Sequence, residues 1–278
     1  MPELPEVELV ARALDRVVGG RVVARAELLR PGLAPENTPR EFARLLRGAR
    51  FERVGRRGKH ILAELDNGHV LITHLRMTGR FLLLPARAPL PKHTHALFRL
   101  AEGGRLAFTD QRHFGLMKVV RAEDLAAARE LRALAPEPFS AEFTPEYLAG
   151  VFRKTKRTLK DVLLDQTKVT GLGNIYAAEV LFLARLDPFA PANVVTRRAV
   201  ARLHRAVLDV LGEAIAHGST MNVDPEDIDG SYFGGGGYNG RWRVYDREDE
   251  PCQTCGAAVR RVSRAGRSTY FCPRCQKV

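Results

Sequence analysis

All four cysteines of this chain lie in its last 27 residues, as Cys252-x-x-Cys255 and Cys272-x-x-Cys275. Sixteen residues separate the pairs, a spacing that lets two tight knuckles face one another across a hairpin and close a tetrahedral thiolate site for one Zn2+. Two disulfides would need an oxidising compartment, for which the N-terminus offers no export signal. A site closed by four sulfurs has no open coordination position, so the zinc is expected to be structural and catalysis to lie elsewhere. Arg260, Arg261, Arg264 and Arg267 crowd the stretch between the pairs. They read either as a solvated basic face or as a hairpin that meets phosphate or enters a groove.

The opposite end offers a nucleophile. Removal of Met1 would leave Pro2 as a secondary α-amine. Such amines titrate near 8 and a lysine near 10.4, so at neutral pH roughly a tenth of the former and about one in two thousand of the latter is free base. A neutral amine can attack a sugar C1′, expel the base and leave an iminium that acidifies the C2′ proton. Glu3 and Glu6 stand close enough in sequence to serve as acid or base, although carboxylates in a first helical turn also simply complement the helix dipole.

These groups need elements to hold them. Val7, Val10, Leu14 and Val17 recur at three- and four-residue steps until Gly19-Gly20, which predicts an amphipathic helix from Pro2 to Val18. Short β-rich runs follow at Ile61–Leu65, Val70–Leu75, Leu97–Leu100, Leu106–Thr109 and Leu116–Val120, broken by turns such as Asp66-Asn67-Gly68 and predicting a two-layer β-sandwich. The texture then changes through 121–143, where a linker is expected. Thr144-Pro145-Glu146 starts a helical region that runs through Thr196–His217, with Gly218 as its stop. Residues 219–240 read as a mobile glycine-rich and acidic loop. The expected fold is α+β, with domains at 1–135, 144–220 and 241–278.

Forty-four Lys and Arg against 32 Asp and Glu leave a formal charge of +12 and a pI near 10.0. That balance favours a polyanionic partner, nucleic acid first and an anionic membrane second. No apolar run of about 18 residues is present to span a bilayer, so a soluble cytoplasmic protein is expected.

Three stretches in this order, Met1-Pro2-Glu3-Leu4-Pro5-Glu6-Val7, Gly171-Leu172-Gly173-Asn174-Ile175-Tyr176-Ala177 and the paired cysteines, strongly resemble the bacterial formamidopyrimidine-DNA glycosylases. The resemblance implies a helix plus antiparallel β-sandwich, a helix-two-turns-helix domain and a β-hairpin zinc finger, with damaged double-stranded DNA held between domains. It implies Pro2 as Schiff-base nucleophile, Glu3 as acid/base, Lys59 of Arg57-Gly58-Lys59-His60 as a proton donor in strand cleavage, and Arg267 of Gly266-Arg267-Ser268-Thr269 as the acid of the second elimination. His74, Asn174 and Arg267 would hold the phosphates beside the lesion.

Extruding a nucleotide leaves a hole in the stack that costs a few kcal/mol unless side chains fill it. The resemblance assigns that task to Met77, Arg112 and Phe114; read alone, Met77 and Phe114 would be core residues. This chain departs from the family at Gln111 and His113, where proline and arginine are more usual, and through 221–240, the region that in the family closes over an extruded 8-oxoguanine. The expected activity is therefore a bifunctional glycosylase and abasic-site lyase acting on oxidised purines by β,δ-elimination, in a monomer. The alternatives are an endonuclease VIII-like preference for oxidised pyrimidines and a non-catalytic protein that binds damaged DNA.

Overall fold

A computed structural model describes residues 1–221, 235–264 and 266–277. The expected mobile loop falls mostly on 222–234, outside the described residues. The chain forms two compact units, Met1–Arg132 with Gly218–Gly237, and Ala133–His217 with Tyr238–Val278.

The first unit opens with helix α1, Leu4–Val18. Its N-cap is Glu3, which together with Glu6 closes a reciprocal capping box in which Glu3 N donates to Glu6 Oε2 at 2.8 Å. Val7, Val10 and Leu14 are buried as the periodicity requires. The helix ends at Gly19, whose ψ of 130° leaves the helical region at a place where a β-carbon would sit 2.4 Å from the Asp15 carbonyl oxygen, so only glycine fits.

Two four-stranded antiparallel sheets follow. One has the order β1-β6-β7-β5, from Val23–Leu28, Thr94–Leu100, Arg105–Asp110 and Gly79–Leu84; the other, β2-β3-β4-β8, comprises Phe51–Arg57, His60–Leu65, His69–His74 and Leu116–Arg121. Phe98 and Phe108 from the first sheet share one core with Val54, Ile61 and Val119 from the second, which makes the pair a two-layer sandwich. Helix α2, Pro39–Leu46, is capped by Thr38 and packs Phe42 into this core.

The four central strands and β8 match the predicted runs. Strands β1, β2 and β5 were not anticipated, and all three are edge strands. Strands β1 and β2 keep charges such as Arg25, Glu27, Glu52 and Arg53, and these break the apolar alternation that marks a strand; β5, whose Phe81-Leu82-Leu83-Leu84 is an apolar run, has no such interruption.

The second unit contains α3 (Pro145–Arg153), α4 (Leu159–Leu164), α5 (Asn174–Leu183) and α6 (Arg197–Ala216). Thr144, Thr158 and Thr196 cap α3, α4 and α6 by accepting an amide hydrogen bond two or three residues into each helix. Helix α5 is apolar nearly all round and lies in the middle of the unit, with Tyr176, Val180 and Leu181 fully buried. The module after it carries the antiparallel pair β9 (Arg260–Arg264) and β10 (Arg267–Phe271).

Candidate active site and metal centre

The start of α1 is buried. Pro2, Glu3 and Glu6 are all shielded from solvent, Glu3 and Glu6 to within 2% of full burial. The chain still carries Met1, and its ammonium is lowered below the usual range, chiefly by burial; Glu3 and Glu6 pull it upward, while Lys59 and Arg112 push it down. An amine in this position is thus flanked by two carboxylates and two cations. Glu6 also reaches across the unit, its Oε1 accepting from Thr220 N at 3.2 Å and Thr220 Oγ1 at 2.9 Å.

Lys59 occupies a two-residue hairpin between β2 and β3, where Arg57 pairs with His60. Gly58 takes φ 57°, the left-handed value that such a turn demands at its first central position. Lys59 is 5% exposed although it sits at a turn. Next to it, His60 faces His74 across the strand pair with ring centroids 4.7 Å apart and planes at 88°. Burial drives both imidazoles toward the neutral form, His60 to about 4 and His74 to about 2. His74 Nδ1 accepts from the Arg76 amide at 3.0 Å, so its proton sits on Nε2 and the ring is a neutral donor. His60 Nδ1 is buried with no hydrogen-bond partner.

The loop Asp110–Gly115 is organised by one carboxylate. Asp110 Oδ1 accepts from Thr78 Oγ1 and from Arg112 N at 3.2 Å, and Oδ2 accepts from Gly115 N at 2.6 Å. Although burial opposes it, these donors keep Asp110 below the usual carboxylate range. At the far side of the loop Phe114 is 53% exposed, with the Arg112 guanidinium 5.0 Å from its ring centroid. Phe114 is therefore not a core residue, as it would be if read alone, and Met77 is half-buried in the turn that also contains Thr78.

In the second unit Asn174 opens α5 behind the N-cap Gly173, and its Oδ1 is buried without a hydrogen-bond partner. The preceding turn is pinned by Gln166, which accepts from Gly171 N at 3.0 Å and donates to Leu172 O at 2.9 Å. Arg267 begins β10 and is exposed. Lys160, 5% exposed, holds that strand by donating to Ser268 O at 2.7 Å and Thr269 Oγ1 at 2.8 Å. Among the four arginines of the hairpin, Arg261 is turned onto its own module, donating to Ser268 Oγ at 2.9 Å and pairing with Glu248 at 3.3 Å.

The four cysteine sulfurs lie within 4.8 Å of one another. The Cys252–Cys275 and Cys255–Cys272 separations are 3.9 and 3.5 Å, straddling the ~3.8 Å edge of a tetrahedron with zinc–sulfur bonds of about 2.3 Å. Backbone amides of Thr254 and Cys275 point at Cys252 and Cys272 sulfur, the second shell expected of thiolate ligands. The donor set fits one structural zinc. The fully buried Glu179 on α5 anchors this module, accepting amide bonds from Arg243, Val244 and Tyr245 at 2.8 to 2.9 Å.

Sequence reasoning missed Thr220, Gln166, Lys160 and Glu179. Each acts through a partner distant in sequence or through backbone groups, and neither leaves a spacing to read.

Comparison with known proteins agrees with this arrangement. The family model for the formamidopyrimidine-DNA glycosylase N-terminal domain matches residues 1–117, that for the H2TH domain of the same enzymes matches 134–224, and a zinc finger found in these enzymes and in IleRS matches 249–278. Formamidopyrimidine-DNA glycosylase of Bacillus licheniformis is 42% identical over the whole of both chains, and that of Desulforamulus reducens 40% over 100% of this chain and 99% of its own. Among solved structures, a complex of the Lactococcus lactis enzyme with DNA containing an abasic site superposes with TM-score 0.91 at 32% identity over 99% of this chain and all of that one. A mutant of the same enzyme bound to DNA containing Fapy-dG gives TM-score 0.91 at 33% identity over both chains.

Proposed function

The chain belongs to the formamidopyrimidine-DNA glycosylase family, DNA glycosylases of base excision repair, and on that premise we propose how its residues divide the reaction. With Met1 removed, the amine of Pro2 attacks C1′ of an extruded nucleotide. The glycosidic bond breaks as the base departs with a proton; the C1′–O4′ bond then opens, O4′ taking a proton, to give the iminium, with Glu3 serving as the acid/base beside it. Loss of the C2′ proton expels the 3′-phosphate; a second elimination expels the 5′-phosphate. Lys59 donates a proton during strand cleavage and Arg267 during the second elimination. The observation that carries this reading is the buried Pro2 at the start of α1 beside Glu3 and Glu6, where the terminal ammonium, here that of Met1, is lowered chiefly by desolvation and also feels Lys59 and Arg112.

His74, Asn174 and Arg267 are proposed to hold phosphates, His74 through its Nε2 proton and Asn174 through the Nδ2 donor of its amide at the start of α5. Met77, Arg112 and Phe114 fill the vacated stack. The zinc is structural and shapes the hairpin that presents Arg267; no step passes through it. The domain limits 1–135, 144–220 and 241–278, a monomeric state and a cytosolic location complete the proposal. Among the described residues no helix is long and apolar enough to cross a membrane.

Oxidised purines are the proposed lesion class, because structures of the Lactococcus lactis relative hold Fapy-dG. A second reading, toward oxidised pyrimidines, is kept open by another complex of that relative with an oxidised pyrimidine. Borohydride trapping on duplexes with 8-oxoguanine opposite cytosine decides between them. An adduct mapped to Pro2 supports the first; an adduct formed only with thymine glycol or an abasic site overturns it. A non-catalytic binder yields no adduct on any substrate.

A further inference from the structure

The loop that presents Arg112 and Phe114 is held at its base by a pair of histidines. His95, on β6, is 5% exposed, and its Nε2 lies 2.9 Å from the Asp110 carbonyl oxygen and 2.9 Å from His113 Nδ1. A carbonyl oxygen can only accept, so the proton belongs to His95 Nε2. It follows that His113 Nδ1 is the second acceptor of the same N–H and carries no proton of its own.

The backbone is fitted to this contact. His113 takes φ 61°, a left-handed conformation that most side chains avoid. Its amide approaches Asp110 O at 3.3 Å, and its carbonyl accepts from Arg30 Nη1 at 3.1 Å. Gly115 closes the loop where a β-carbon would meet the Phe108 ring at 2.9 Å. His113 is itself exposed but turns its Nδ1 to His95, and on either side of it Arg112 and Phe114 are exposed, with the guanidinium over the ring.

We infer that His113 is the positioning residue of this loop: by accepting from His95 it fixes the orientation of Arg112 and Phe114, and through them the discrimination of the base opposite the lesion. This rests on the reading of Arg112 and Phe114 as the groups that fill the vacated stack. The charged and titratable groups facing the pair are Asp110 and Arg112 from the loop, Arg30 from the segment after β1, and His93, whose ring centroid is 5.4 Å from that of His113.

The test is single-turnover excision of 8-oxoguanine opposite cytosine and opposite adenine, with cleavage of a preformed abasic site as the control for folding and for the Pro2 chemistry. His113→Ala is expected to compress the cytosine-to-adenine ratio by roughly tenfold, the weight of one well-placed hydrogen bond, with abasic-site cleavage unchanged. His113→Asn should restore the ratio to within about twofold of the parent, because its Oδ1 stands where Nδ1 stood and asparagine tolerates the left-handed backbone. His113→Gly keeps the backbone freedom without the acceptor and should behave like His113→Ala; it carries the test if the alanine variant does not fold. A parental ratio in His113→Gly, or an asparagine variant no better than glycine, overturns the inference. Phe114→Ala separates the underlying reading: parental excision in that variant would mean that this loop does not fill the stack, and both statements would fall.

Discussion

The two ends of the chain concentrate charge for opposite purposes. At the start of α1 an amine sits among Glu3, Glu6, Lys59 and Arg112, a mixed set whose effects on it partly cancel. At the other end four sulfurs within 4.8 Å of one another share one sign once ionised, and only a cation can hold them together. The first arrangement surrounds the amine with charges of both signs, within reach of a reaction that moves protons at every step. The second allows a single state. A reactive centre is built from compensating charges that stay adjustable, a structural one from charges that are neutralised outright.

The sharpest way to break this comparison is to remove charge from one end at a time. Adding residues ahead of Met1 leaves the carboxylates and cations in place and removes the amine. Borohydride trapping and strand cleavage should fall below detection while damaged-DNA binding persists, and full activity in the extended protein would end the amine mechanism. Cys252→Ser does the reverse. It should lose zinc and weaken DNA binding by roughly a hundredfold, since the hairpin bearing Arg267 loses its fold, while the β-sandwich keeps its near-ultraviolet signature. Metal analysis together with a binding isotherm checks both halves.

Acid should act on the first region through His60 and His74. Their folded values, about 4 and about 2, lie below the ~6.5 of an exposed imidazole, chiefly because burial opposes the charged form. Between pH 6.5 and those values the unfolded chain binds protons that the folded chain refuses. Stability is thus full above about pH 6.5 and declines as the pH falls toward 4. Urea midpoints across that range should fall with acid, and His60→Leu, which removes a ring nitrogen that has no partner, should flatten the decline. A midpoint independent of pH would show these imidazoles to be charged in the folded protein.

Much of both ends was legible because their logic is local. Paired cysteines three residues apart announce a knuckle, and an apolar repeat that ends at glycine announces α1. The central strands and β8 were legible for the same reason; β1 and β2 were not, because charges such as Arg25, Glu27, Glu52 and Arg53 interrupt their alternation, and β5 was missed although Phe81-Leu82-Leu83-Leu84 is an apolar run. What supports the site was invisible for a different reason. Glu179 is one acidic residue in an apolar helix until Arg243, Val244 and Tyr245 are brought to it, and Lys160 is an ordinary lysine until β10 lies against it. His113 was visible only as a departure from the family; its partner His95 came with the fold.

The smallest expected effect concerns Thr220, which lies 214 residues from the carboxylate it meets. Glu6 Oε2 is engaged by the Glu3 amide in the capping box, so Oε1 is the oxygen that receives Thr220. Thr220→Val conserves shape and the amide bond and deletes only the hydroxyl, a change of about 1 kcal/mol or roughly fivefold. The chain beyond this residue leads into the region that, by resemblance, closes over an extruded base. Excision of 8-oxoguanine should therefore slow about fivefold while cleavage of a preformed abasic site, which has no base to enclose, stays at the parental rate. Equal slowing on both substrates would place the effect on Glu6 and the amine beside it, and would make this contact part of the reactive centre rather than a tether for the segment that follows.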